Sequence, residues 1–138
     1  MSGFSPIITV ASKRHEPLLK SLGATHVIDR HIPLLDLPRQ VKEIAKQPLK
    51  YVYDAVSEPE TQNIAYDILA PGGHLTIVVT DAVEKTKRTL DKHVSMVFAN
   101  VQDPTIRDLA VGLYKALPAL LESGEIKVCF GSFHIAST

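Results

Sequence analysis

The sequence predicts an α/β protein, built as a three-layer arrangement in which helices flank a mainly parallel sheet of five to six strands. Two observations carry this. Short β-branched apolar runs alternate along the chain with segments whose apolar residues recur at helical spacing. The runs are also apolar almost throughout, as strands covered on both faces are. Composition agrees: 45% of residues are apolar, enough to build a core and too many for a disordered chain. A length of 138 residues fits one domain.

Each element follows from local chemistry. Residues 6–11 are β-branched and nearly all apolar, so a strand buried on both faces is expected there. A short helix follows with Leu18, Leu19 and Leu22 on one side, and Gly23 supplies its stop. Residues 25–29 read as a second strand. Asp36 is placed to cap a helix whose inner face is Leu37, Val41, Ile44 and Ala45. Residues 51–56 form the third predicted strand. Ser57 and Glu60 then have the spacing of a capping box, with Pro59 in the first helical turn. That helix is expected to bury Ile64, Ala65, Ile68 and Leu69 and to end at Pro71, Gly72 and Gly73. Residues 74–80 and 95–100 read as the fourth and fifth strands. Asp103 and Pro104 open the longest helix, with Ile106, Leu109, Ala110, Leu113, Leu117, Leu120 and Leu121 able to face inward. Pro118 is expected to kink or interrupt it. Gly124 closes it, and residues 126–130 are a candidate sixth strand.

Several function classes are disfavoured. Fifteen basic residues balance fifteen acidic ones, so no overall field gathers nucleic acid or anionic membrane. Aromatics are 6% with no Trp, too few for a surface that stacks single-stranded bases. Cys129 is the only cysteine, so no intramolecular disulfide forms; this suits a reducing compartment, although a secreted protein without disulfides would look the same. The first residues lack a signal-peptide pattern, and no window approaches the ~18 apolar residues of a bilayer span. A soluble cytoplasmic protein is expected. His26 and His31 flank a strand end without a Cys or paired carboxylate to complete a tetrahedral set, so no metal site is expected. Lys85, Lys87, Arg88, Lys92 and His93 are interleaved with Glu84 and Asp91, which favours a charged connection over a phosphate or nucleic-acid patch. No spacing of Ser, His and Asp or of paired carboxylates demands catalysis, and no catalytic residue is assigned.

Three stretches point to a family: residues 10–15 followed by 18–29, residues 53–57, and residues 69–73. They closely resemble the cofactor domain of zinc-type alcohol dehydrogenase-like proteins of the medium-chain dehydrogenase/reductase superfamily. The nearest resemblance is to the zinc-independent fungal branch, which includes trans-acting enoyl reductases and quinone-reductase-like members. The similarity covers roughly residues 3 to 127, and its most specific part is the run from Leu22 to Asp29 after a short helix. In that family a Rossmann sheet of order 3-2-1-4-5-6 holds a dinucleotide at its switch point, with the phosphates over a glycine-rich turn. The resemblance therefore implies a Rossmann-like fold and NADP(H) as cofactor. The seven glycines allow no G-x-G-x-x-G spacing. The chain is thus expected to begin at the family's second strand, lacking the glycine-rich first strand-loop-helix unit and the catalytic domain. Residues 1–130 are read as a partial nucleotide-binding domain, and 131–138 as a divergent tail.

The end of the second strand in such a fold selects between cofactors. A carboxylate there accepts from a ribose 2′-hydroxyl, whereas basic and hydroxyl residues suit a 2′-phosphate. Here Ala11 is followed by Ser12, Lys13 and Arg14, with no carboxylate until Glu16. Ser12 and Lys13, supported by Arg14, read as a 2′-phosphate clamp; an ordinary solvated basic turn is the alternative. The resemblance places Asp29 and Arg30 near the adenine, and Ser57, Val78 and Thr80 beside the nicotinamide. A local ion pair explains Asp29 and Arg30 equally well, and a helix cap explains Ser57. His15 stands where the fungal branch often has Asn.

The absent strand would lie at the sheet's centre, leaving residues 6–11 and 51–56 as unpaired apolar edges. A homo-oligomer through those edges is expected. Without the phosphate cradle, NADP(H) binding is expected to be weak or absent. The reading is a truncated NADP(H)-dependent oxidoreductase-family cofactor domain with weak or no catalysis alone. The alternatives are a non-catalytic protein-binding or assembly module reusing the fold, and a hydrolase or nuclease supported only by scattered histidines and the basic run.

Overall fold

The computed structural model describes residues 3–98, 100 and 103–126, and the chain divides into two units, Met1–Phe98 and Ala99–Thr138. In the first unit strand and helix alternate. They are β1 (Ile8–Ala11), α1 (Glu16–Ser21), β2 (His26–Asp29), α2 (Leu37–Ala45), β3 (Leu49–Asp54), α3 (Pro59–Asp67), β4 (Leu69–Ile77) and β5 (His93–Met96). All three strand pairings are parallel, so the Rossmann-like α/β class holds. The continuous sheet of five to six strands does not. The strands form a pair, β1-β2, and a trio, β3-β4-β5. A cavity of about 850 Å³ is lined by Ile7 and Ile8 on one side and by Leu49, Tyr51, Val52 and Tyr53 on the other. No described strand bridges β1 to β3.

The main core lies between α3 and the three-stranded sheet. Leu75 and Ile77 alternate with His74 and Thr76 along β4, so one face of the strand is fully buried. Ala65 and Tyr66 of α3, Leu69 and Val83 complete the cluster, with Val52 and Val94 packed against it. Outside that cluster the buried apolar residues are Val27 and Ile28 of β2 and Val41 and Ala45 of α2.

Several sequence-based expectations fail for identifiable reasons. No β1 residue is buried, and Val10 is 47% exposed; among the described residues no second strand pairs with β1 to cover it. Leu18 of α1 and Leu22 just after it are likewise exposed. Asp36 stands at the start of α2 but makes no side-chain cap, because its backbone is already helical. α3 ends at Asp67, and its buried residues include the polar Gln62 and Asn63 rather than Ile64 and Ile68. Pro71, Gly72 and Gly73 lie within β4 instead of terminating α3. They form an irregularity in the β3-β4 register, where Leu69 pairs with Leu49 and His74 with Tyr51. A side chain at Gly73 would meet the Ala70 carbonyl oxygen at 2.8 Å, so the bend requires glycine there.

The second unit is described by α4 (Arg107–Glu122), which runs unbroken through Pro118. The proline removes one hydrogen bond without ending the helix. α4 begins later than Asp103, whose carboxylate instead accepts from the Thr105 N–H at 2.8 Å in the preceding turn. No residue of α4 is buried, and Leu109, Leu113 and Leu121 are exposed, so the expected inward stripe is not buried among the described residues. Gly124, at φ +73°, closes the helix as expected. The predicted sixth strand beyond Ile126, Cys129 and the tail at 131–138 lie outside the described residues. Among the described residues no helix is long and apolar enough to cross a membrane.

Leu75 has no exposed surface, so Leu75→Ala is expected to cost about 2–5 kcal/mol. Leu109→Ala is expected to stay within about 0.5 kcal/mol. Urea denaturation of the two variants beside the parent measures both, and equal midpoints would show that the core has been misplaced.

Candidate functional site

The sequence-predicted site residues fall into two groups, each at the C-terminal end of its sheet. At the first, Ala11 pairs with Asp29 in register, and the Arg30 N–H donates to the Ala11 carbonyl at 3.0 Å. Ser12, Lys13, Arg14, Asp29 and Arg30 therefore sit together. Ser12 is extended and precedes a 3-10 turn, Lys13–His15. The Lys13 ammonium donates to Glu16 Oε2 at 3.1 Å and to the Val27 carbonyl at 3.2 Å. Glu16 also pairs with Lys20 at 2.9 Å, and these two ammonium groups, Lys20 first, hold its carboxyl below the usual range. Arg14 Nε donates to His15 Nε2 at 3.0 Å.

Asp29 is committed to its own turn. Its Oδ1 accepts from the His31 backbone N–H at 3.0 Å and lies 2.9 Å from His31 Nδ1. The backbone bond is the largest cause of its lowered pKa. That contribution is present above the ordinary carboxylate range and is lost as pH falls through the depressed value.

At the second group, buried Asp54 ends β3. Its Oδ1 accepts from the N–H groups of Val56 (3.0 Å) and Ser57 (2.8 Å), and Oδ2 accepts from Thr61 Oγ1 at 2.7 Å. Ser57 sits in the left-handed region at φ +56°. Its hydroxyl donates to the Asp54 carbonyl at 2.6 Å and accepts from the Val78 N–H at 2.9 Å. The capping-box reading of Ser57 is therefore corrected: Glu58 stands at the cap, without a side-chain cap bond. The Ser57 hydroxyl is occupied in tying β3's end to β4's.

Gln62 completes the second group. Its Nε2 donates to the carbonyls of Ser57 (2.8 Å) and Thr80 (3.1 Å), while its Oε1 accepts from the Ala82 N–H at 2.7 Å. Asn63 adds bonds to the Ala82 carbonyl and the Glu84 N–H. Ser57, Val78 and Thr80 are thus brought together by residues that sequence reasoning missed: Asp54, Thr61, Gln62 and Asn63. The available signal was two adjacent amides beside the apolar Ile64 and Ala65, because buried polar side chains need partners.

Among the described residues no group of three or more His, Cys, Asp or Glu side chains is arranged to hold a metal ion. His26 Nδ1 lies 3.0 Å from the Thr25 hydroxyl, and His31 contacts Asp29. The basic run is anchored locally: Lys87 pairs with Asp67, Arg88 with Asp81, and Lys92 donates to the Tyr66 carbonyl.

Residues 1–123 match a family model described as zinc-binding dehydrogenase. The trans-enoyl reductase FSL5 of Gibberella zeae is 28% identical over 147 residues, taking in 92% of this chain and 39% of that protein. The chain spans about two fifths of the length of the curated relatives it matches. Among solved structures, benzyl alcohol dehydrogenase from Acinetobacter calcoaceticus aligns at TM-score 0.59 and 27% identity, over 82% of this chain and 33% of that one. The nucleotide-binding subdomain of the enoylreductase domain of PpsC from Mycobacterium tuberculosis aligns at TM-score 0.61 and 19% identity. That match covers 90% of this chain and 72% of the other, and at such identity it bears on the fold alone.

The Ser57 geometry separates two effects. Ser57→Ala loses both hydroxyl bonds and keeps the positive φ, so a loss of about 1–3 kcal/mol is expected. Ser57→Gly loses the same bonds but relieves a backbone strain of about 1–2 kcal/mol, and should be the milder variant. Thermal melts of the pair decide the order; a less stable Gly variant would refute the strain.

Proposed function

Because the chain belongs to the zinc-binding dehydrogenase family, we propose that it is a partial NADP(H)-binding domain of an oxidoreductase that, as this chain alone, binds the nucleotide weakly and transfers no hydride. The observation that carries the cofactor choice is the turn after β1. Lys13 and Arg14 stand where a cofactor with a free 2′-hydroxyl would need a carboxylate, and the nearby Asp29 is engaged by His31. A 2′-phosphate suits those cations. Arg30 lies beside them, and the resemblance assigns Asp29 and Arg30 to the adenine side.

Weak binding follows from the missing cradle. No G-x-G-x-x-G spacing exists in the sequence, so two or three charge-assisted bonds to the pyrophosphate are lost, each worth about 1.5–3 kcal/mol. The described residues offer no donor set for zinc. In the whole protein, the fungal relatives support reduction of an enoyl substrate as the reaction class. The lone Cys129 supports a cytoplasmic setting.

Titration with NADPH and NADH tests the reading. Lys13→Ala is expected to weaken NADPH binding about tenfold and leave NADH unchanged. Glu16→Gln is expected to strengthen NADPH binding severalfold, because Glu16 both occupies Lys13 and repels a phosphate. Equal effects on both nucleotides, or no saturable binding at all, would overturn it.

A second reading, self-assembly, is favoured by the two unpaired edges. β1 and β3 each pair on one side, and Tyr51 and Tyr53 are 60% and 64% exposed beside the cavity. Apolar surface flanking unpaired strands favours association, and we propose a second copy of the chain as its occupant. Sedimentation is expected to show concentration-dependent association; a monodisperse monomer at high concentration removes this reading.

A further inference from the structure

Gln62 is the one described side chain that hydrogen-bonds to both the Ser57 turn and the Thr80 loop. It is wholly buried on α3. Its amide hydrogens bridge the Ser57 and Thr80 carbonyls, and its oxygen holds the Ala82 N–H. Asn63 ties the following residues through the Ala82 carbonyl and the Glu84 N–H, so the loop after β4 hangs from two adjacent amides. An apolar side chain of similar volume would fill this space without the desolvation that a buried carboxamide incurs. What the carboxamide adds over such a filler is a set separation between two carbonyls. The Val78 N–H on the Ser57 hydroxyl supplies a second tie between the same two strand ends.

We propose that Gln62 is a positioning residue: it sets the spacing between the Ser57 turn and the Thr80 loop, and so forms the surface for the nicotinamide end before the nucleotide arrives. The inference rests on the NADP(H) reading above. A preformed surface lowers the ordering cost of binding. Among the described residues no hydrogen bond joins Gln62 to Ser12, Lys13 or Arg14, so its effect is confined to one half of the ligand.

Two ligands separate positioning from general stability. Adenosine 2′,5′-bisphosphate carries the 2′-phosphate end and lacks the nicotinamide; NADPH has both. Gln62→Glu keeps an acceptor for the Ala82 N–H but turns a carboxylate toward the two carbonyls, whereas Gln62→Met fills the space with no bonds. Dissociation constants on the full chain, read by ligand-observed NMR well below each variant's melting temperature, are expected to rise about tenfold for NADPH in both variants. Those for the bisphosphate are expected to stay within about twofold. In the unsubstituted protein, the Gln62 side-chain amide signals should shift on adding NADPH and stay put with the bisphosphate; this measurement decides the matter if neither variant folds. Parallel losses for both ligands, an unchanged NADPH affinity, or Gln62 signals indifferent to NADPH would each overturn the positioning role while leaving the cofactor reading intact. Failure of the unsubstituted chain to bind either ligand removes both.

Discussion

A parallel strand inside a three-layer fold is stable when both edges are paired and both faces covered, and β1 and β3 here are paired along one edge each. Most departures from a regular layered fold in the first unit trace to that interruption. The half-exposed Val10 of β1 and the exposed Tyr51 and Tyr53 of β3 belong to the two strands on either side of it. Where pairing is complete on both sides, at β4, the strand carries Leu75 and Ile77 with no exposed surface. Pairing on both sides goes with burial at β4, yet β2, paired only with β1, also buries Val27 and Ile28, so cover over a strand's face counts as well.

The two candidate groups are held by different physics. Around Lys13, Glu16 and Lys20 the contacts are exposed ion pairs at helical spacing, weak because solvent and salt screen them. They leave the cations free to exchange a carboxylate partner for a phosphate. Around Asp54, Ser57 and Gln62 the polar atoms are buried and every one has a partner. Breaking such a network exposes the full desolvation cost of the groups left behind. One end of the site is therefore adaptable and the other rigid, a division suited to a ligand whose one end carries charge and whose other end must be oriented.

The strand-helix rhythm, the parallel class and the family were legible because they rest on periodicity and on a specific run, Leu22 to Asp29. The Ser12–Arg14 turn was legible because residue type alone states its charge. Three features escaped. Ser57 and Glu60 have cap spacing, yet a long-range bond to Val78 wins the hydroxyl, and no local pattern encodes that competition. Pro71, Gly72 and Gly73 look like a helix stop and instead shape an irregularity within a strand, since both need the same permissive backbone. Gln62 and Asn63 directly precede an apolar stripe, and their partners in the loop after β4 lie about twenty residues away. Sequence reading failed wherever a polar side chain was satisfied at long range.

The family's description names zinc, whereas the described residues provide no donor cluster for it. The two statements are compatible because a family resemblance of this kind is carried by the sheet and its helices, while chemistry resides in particular side chains. This chain carries a cationic turn after β1 and a cross-tied pair of segments after β3 and β4, the two groups to which the NADP(H) proposal assigns the ends of the cofactor. No G-x-G-x-x-G spacing occurs in the sequence given. On that proposal each group meets one end of the ligand, and their separation is what a bridging ligand would have to match. Under the same proposal, the ties made by Gln62 and Ser57 matter more than they would in a site whose phosphate cradle already fixes the ligand's middle.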